Sequence, residues 1–373
     1  MAILDIYGQN RGILQLERAR AASRQPHSYI FHGPEGIGKA MLAMQWAGLQ
    51  LCSEPKVANL AGLDGAEGLA GLDQEILDSC GHCESCHLVA SGNHPDIHFI
   101  DRELAKYTKK THKGQLLTLP IDVIREFVID VSANSAVFGG SKIFIIDNAE
   151  TMNWQTQNAL LKTLEEPPEN TFIILVTARP DKLLTTIHSR CQMVRFYPIS
   201  IEYVGNFLQN QHLEMDSQQC RYWASFSNGQ LGLALELAEM DLYAVKCELI
   251  EHLVKLDYSN ALAFAGWIID QAKAFSKSYV DLHSGFSASA ATRRGYSVFL
   301  AMISQAFCES IRHSAGLSSI DQEREIELLA GRFGPTEAEK AIRRVAETEN
   351  RLNANANASL TFESLLLDCI GYR

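Results

Sequence analysis

The segment Gly33-Pro34-Glu35-Gly36-Ile37-Gly38-Lys39-Ala40 fits G-x4-G-K, directly after the short apolar run Tyr29–His32 and at the start of a helix-like stretch, Lys39–Leu51. Few local patterns restrict a fold more. A strand, a glycine turn and a helix N-terminus in that order predict an α/β domain in which Gly33, Gly36 and Gly38 let backbone amides wrap phosphate. Lys39 supplies positive charge for the outer phosphates. The next position in such loops is Ser or Thr, whose hydroxyl ligates Mg²⁺; here it is Ala40, whose methyl binds no metal.

The remainder of the chain suits this reading. Its 373 residues are 46% hydrophobic and 21% charged, which is globular rather than disordered composition. Length suggests roughly two or three domains. A net charge of −11 argues against a surface that grips nucleic acid throughout. Met1–Asn10 has no basic, apolar leader pattern, and the longest apolar run, Ala261–Ile269, is about half a membrane span. A cytoplasmic protein without membrane contact is expected. The runs Ile97–Ile100, Ile143–Ile146 and Phe172–Thr177 read as buried parallel strands separated by helical patterns. The repeated AGLD at Ala61–Asp64 and Ala70–Asp73 reads as an insertion loop. Beyond Ser200 strand signals fade. Ile201–Asn210 and Ser217–Leu237, split at Asn228-Gly229, read as short helices, and nearly everything from Asp241 is helical, with breaks near Ser284–Ala288, Gly316–Ser319 and Gly334-Pro335. The expected division is an α/β P-loop domain with a parallel sheet over residues 1–198, a small helical lid over 199–240 and an all-α domain over 241–373.

A P-loop ATPase also needs an apolar strand ending in Asp, often followed by Glu. Lys142–Ile146 and Asp147 supply the strand and the Asp, but Asn148 follows, and an amide takes no proton from an attacking water. Metal hydroxyl and general base are both missing. Phosphoryl transfer rests on positioning and metal electrostatics, so useful hydrolysis is not expected. Glu150, three residues on, would point elsewhere.

Nine cysteines include Cys80, Cys83 and Cys86 spaced C-x2-C-x2-C, with Cys52 upstream and the others scattered singly. A metal in a reducing compartment fits this better than a disulfide framework. Tetrahedral Zn²⁺ needs a fourth ligand. Cys52 is the natural candidate, His82, His87 and His94 are alternatives, and an iron–sulfur cluster or free thiols remain competing readings. The insertion holding the site spans about residues 52–94.

A resemblance rests on these same residues. Asn158–Leu164 with Glu165-Glu166-Pro167-Pro168, then Ser189-Arg190-Cys191, resembles the clamp-loader AAA+ proteins of bacterial DNA polymerase III. So do Tyr7-Gly8-Gln9, His94-Pro95-Asp96 and Gly139–Lys142, all in the family's order over about the first 240 residues. Taken alone, Glu165–Pro168 is a helix stop, Thr177 at a strand end matches a sensor position, and Asn353–Asn357 reads as a connection. The resemblance further implies that the C-terminal helices form an oligomerisation collar.

Departures from the family's pattern distinguish its two kinds of subunit. The hydrolysing kind resembles G-K-T, D-E and G-S-x-R, whereas this chain has Gly38-Lys39-Ala40, Asp147-Asn148 and Gly229-Gln230-Leu231-Gly232. Ser189-Arg190-Cys191 is intact. The combination is similar to the family's non-hydrolysing subunit, in which this arginine reaches in trans to ATP on a neighbour. The resemblance then implies partnership with ATP-hydrolysing subunits, the delta subunit, the sliding clamp and primed DNA. It also implies a structural Zn²⁺ and weak or absent ATP binding at Gly33, Gly36, Gly38, Lys39 and Asp147. The competing reading is a catalytically active, gamma/tau-like subunit. A zinc-ribbon nucleic-acid module is disfavoured by the acidic balance and the lack of interleaved aromatics.

Overall fold

Near-continuous apolar strands are stable only when both faces of their sheet are covered, and the N-terminal half is built this way. The structure is a computed structural model describing residues 3, 6–22, 25–59, 75–110, 118–138, 140–211, 215–282 and 287–371. The AGLD copies lie outside these residues. Seven strands are described: β1 (Ser28–His32), β2 (Lys56–Asn59), β3 (Glu75–Asp78), β4 (Ile97–Ile100), β5 (Lys142–Ile146), β6 (Thr171–Thr177) and β7 (Gln192–Arg195). Five form a parallel sheet in the order β4-β5-β6-β1-β7, and β2 and β3 form a separate antiparallel pair.

Side chains alternate across this sheet, as a two-residue period requires. Tyr29, Phe31, Ile143, Ile145, Ile174 and Val176 enter one core with Leu42, Ala43 and Trp46 of the helix Lys39–Leu51. Ile30, Phe144, Ile146, Ile173 and Leu175 enter the opposite core with Val123, Val128, Leu160 and Leu164. The result is a helix–sheet–helix sandwich. The carboxyl ends of β1, β5 and β6 bring Gly33, Asp147 and Thr177 to one edge.

The motifs flanking the sheet are backbone clamps. Gln9 donates to the Tyr197 carbonyl at 2.8 Å and accepts from the Tyr197 amide at 3.1 Å. Asp96, fully buried, accepts from the amides of Val137 and Phe138 at 2.7 and 3.0 Å. Lys142, also buried, donates to the carbonyls of Val131 and Asn134 at 2.9 and 2.8 Å.

The chain divides into two compact units, residues 1–203 with 228–233, and residues 204–227 with 234–373. Residues of the 199–240 segment are shared between them, because Ile199 and Gly229 pair through their backbones at 3.0 Å. The second unit is entirely helical among its described residues. Its longest elements are Ala261–Leu282, Ala288–Ser314 and Pro335–Asn353. Asp216 and Gln219 form a reciprocal capping box at Ser217–Phe226, and Pro335 opens its helix. No helix among the described residues is long and apolar enough to cross a membrane.

Within this unit Lys246 is 1% exposed and packs 4.0 Å from the Tyr222 ring centroid. It is paired with Asp321, which also accepts from Tyr243 Oη at 2.5 Å and from Gln218. Burial works to raise the Asp321 pKa, but the hydrogen bonds from Lys246 and Tyr243 outweigh it and hold the carboxyl below its ordinary range. A depressed folded-state pKa stabilises fully above the ordinary carboxylate value, and that contribution is lost as pH falls through the depressed value. Asp321→Asn should therefore destabilise this unit by about 3–5 kcal/mol at neutral pH, since the Lys246 ammonium stays buried without its counter-charge. Urea unfolding at pH 7 and pH 3 checks this: the difference between wild type and variant should shrink at the lower pH.

Candidate nucleotide cleft, cysteine cluster and exposed arginine

The turn after β1 needs glycine for steric reasons. Gly33, Gly36 and Gly38 have φ of 151°, 67° and 89°, and a Cβ on Gly33 would lie 2.6 Å from the Phe196 carbonyl oxygen. The helix Lys39–Leu51 begins immediately beyond, so its first amides face the loop. Glu35, Gly36, Gly38, Lys39, Ala40, Asp147, Asn148 and Thr177 line a cleft of about 280 Å³. Lys39 is turned back onto the loop, donating to the Gly33 carbonyl at 2.8 Å and also to the Pro34 carbonyl. Burial lowers its pKa, against the opposing charges of Glu35, Glu150 and Asp147.

Asp147 ends β5 at this cleft, and burial raises its pKa. Asn148 follows at φ 49°, a left-handed position that asparagine tolerates, and donates to Asp147 Oδ2 at 2.8 Å. Glu150 departs from the expectation that it points elsewhere. Its Oε1 accepts from the Ala178 amide at 3.3 Å, just beyond β6, and its charge acts on both Lys39 and Asp147. The tight turn Ala149–Thr151 folds it back towards the sheet edge. Thr177 Oγ1 accepts from the Arg179 amide at 3.0 Å, so it caps a turn. Gly232 lies against the loop, its amide donating to the Gly36 carbonyl at 2.8 Å. A Cβ on Gly232 would come within 3.2 Å of Gly36 Cα. The loop thus packs against a backbone with no side chain to offer a phosphate.

The cysteines converge because the antiparallel β2–β3 pair returns the chain upon itself. Lys56 sits opposite Asp78, which brings the preceding Cys52 beside the following Cys80. The Cys80 amide donates to Cys52 Sγ at 3.3 Å. Cys83 then caps the helix Glu84–Ala90, and its sulfur accepts from the Cys86 amide at 3.5 Å. The ligand atoms of Cys52, Cys80, Cys83 and Cys86 all lie within 4.8 Å of one another. Three of the sulfur pairs are 3.7, 3.8 and 4.0 Å apart. A tetrahedron with Zn–S bonds near 2.3 Å has edges of about 3.8 Å, so the set fits a metal such as zinc. Two of the alternative histidines are engaged elsewhere. His94 Nε2 and Nδ1 meet Ser85 Oγ and the Asp96 amide at 2.7 and 3.1 Å, and His82 faces Glu54 at 3.4 Å.

Ser189-Arg190-Cys191 follows the short helix Thr185–His188. Cys191 is a core residue whose thiol burial pushes up to about 12, so it anchors the loop and is chemically inert. Ser189 Oγ donates to the Thr186 carbonyl at 3.0 Å. Cys191 is thus buried and Ser189 hydrogen-bonded, and Arg190 is exposed beside them.

These parts define a P-loop α/β protein with a helical C-terminal unit, a four-cysteine cluster, and neither the metal-binding hydroxyl nor the acid adjoining Asp147. A family model described as "DNA polymerase III, delta subunit" matches residues 8–200. The chain belongs to this family. It is 34% identical over 187 residues to the DNA polymerase III subunit delta-prime of Pseudomonas aeruginosa, covering 50% of this chain and 47% of that protein. It is 27% identical over 239 residues to the tau subunit of Escherichia coli, covering 63% of this chain and 32% of that protein. The chain spans about half the length of the delta-prime relative. A solved gamma subunit-related protein of Thermotoga maritima aligns over 97% of this chain and 100% of its own, at 18% identity and a TM-score of 0.46. A similarity that loose transfers no residue roles.

Proposed function

We propose that this chain is a non-hydrolysing clamp-loader subunit of DNA polymerase III, bracing the ATP-hydrolysing subunits and donating Arg190 in trans. One juxtaposition carries the reading: the chain's own cleft has Ala40, Asn148 and Gly232 where a hydrolytic site needs hydroxyl, carboxylate and guanidinium, while Arg190 is exposed. An arginine has no reaction to serve in a subunit that lacks its own catalytic groups. Guanidinium is permanently charged, and its planar fork matches phosphate oxygens, which suits a neighbour's nucleotide. The partners are the hydrolysing subunits, the delta subunit, the sliding clamp reached through the complex, and primed DNA, in a cytoplasmic setting. The residues divide into a P-loop domain over 1–198, a lid over 199–240 and a helical collar over 241–373. Cys52, Cys80, Cys83 and Cys86 hold one structural Zn²⁺. Gly33, Gly36, Gly38, Lys39 and Asp147 form a vestigial nucleotide cleft, with binding weak or absent because Lys39 is already bonded to loop carbonyls.

The second reading is an active, gamma/tau-like ATPase. The position of Glu150 favours it, since its Oε1 accepts from the amide of Ala178, a residue lining the cleft. Hydrolysis by the isolated chain separates the two. The expected turnover is at background with or without Mg²⁺. A turnover near 1 s⁻¹, roughly the low end for phosphoryl-transfer enzymes, would establish the second reading.

A further inference from the structure

Arg190, though exposed, is already engaged. Its Nη2 lies 2.5 Å from Glu165 Oε1, and Nη1 donates to the Thr186 carbonyl at 2.9 Å and the Ser189 hydroxyl at 3.1 Å. Glu165 is the last residue of the helix Trp154–Glu165. A carboxylate is electrostatically disfavoured there, because the helix C-terminus carries partial negative charge. Nothing in helix formation calls for an acid at this position, and Glu165 is ion-paired with Arg190. Both side chains reach water, with 32% of Arg190 and 47% of Glu165 exposed, so an incoming anion has access to the guanidinium.

Resting on the reading of Arg190 as a trans arginine, we propose that Glu165 is a positioning residue that holds this guanidinium against its own subunit until the phosphate of a neighbour's nucleotide displaces the carboxylate. Phosphate, like carboxylate, presents oxygens that the guanidinium fork can pair, and it carries more negative charge, so one anionic partner replaces another and the guanidinium is never left unpaired. The hold is weak by construction. Exposed ion pairs bias such equilibria only modestly, so removing the Glu165 charge should make Arg190 available roughly two- to fivefold more often.

The test uses complexes assembled from the ATP-hydrolysing subunits, the delta subunit and one of four versions of this chain: wild type, Glu165→Gln, Arg190→Ala or the double variant. Steady-state ATP hydrolysis is measured at matched occupancy and at two ionic strengths. Glu165→Gln should raise kcat/KM for ATP by roughly two- to fivefold, more at low salt, without changing the unfolding midpoint of the isolated subunit. The gain should vanish in the Arg190→Ala background. If Glu165→Gln matches or falls below wild type while Arg190→Ala lowers the rate, the holding role is wrong and the trans reading stands. A gain that persists without Arg190 also overturns it. No effect of Arg190→Ala removes the trans reading and the holding role together.

Discussion

Chelation of the purified chain is expected to release one Zn²⁺ and to loosen the cysteine segment while the parallel sheet stays intact. Structural zinc contributes on the order of 10 kcal/mol to the folding of small modules. Besides the metal, the described part of the segment is held by Ile76, buried in a core of the sheet with Ala58 and Leu77 against it, and by Asp78, which accepts from the Ile3 amide at 3.0 Å. The four-residue β2 and β3 pair only with each other, and Glu84–Ala90 is a seven-residue helix capped by a cysteine sulfur. Short isolated hairpins and helices are marginal in water. The sheet, by contrast, owes its packing to two cores that do not include the cluster. Elemental analysis with hydrogen exchange resolves both halves of the prediction. Cys52→Ser should lose most of the metal, and His82→Ala should retain it. Protein purified without chelator and found free of metal would contradict the site, and a metal content unchanged in Cys52→Ser would move the fourth ligand elsewhere.

Much of the sheet was legible because the local signals were consistent. Ile143–Ile146 and Phe172–Thr177 are apolar on both faces, and the helix Lys39–Leu51 follows its glycine turn with the expected bounds. β7 was not legible: Gln192–Arg195 is a polar edge strand whose place is set by pairing with β1, not by its own pattern. β2 and β3 escaped for a related reason, since a partly polar strand gains meaning only from its partner. At the cleft, the loss of hydroxyl and carboxylate could be read directly from Ala40 and Asn148. The return of Glu150 to the sheet edge could not, because it depends on a tight turn ending at the Ala178 amide. The Glu165–Arg190 pair joins the end of one helix to a loop beyond the next strand, and no sequence spacing announces it.

The central claim is that Arg190 serves a reaction on another subunit. Arginines supplied in trans contribute roughly 10³–10⁵ in rate in other P-loop systems, although a complex with several motor sites dilutes the loss of one. Arg190→Ala should leave the fold, the zinc content and complex assembly unchanged, because Arg190 is exposed and lies outside both cores of its unit. Arg190→Lys should restore only part of the activity, since an ammonium lacks the planar fork. The most direct measurement is ATP turnover, coupled to clamp loading on primed DNA, by complexes reconstituted with wild-type or Arg190→Ala chains at matched occupancy. A lower turnover and slower loading for the variant complex, with the isolated wild-type chain inactive, is the predicted result; equal rates for the two complexes would contradict it.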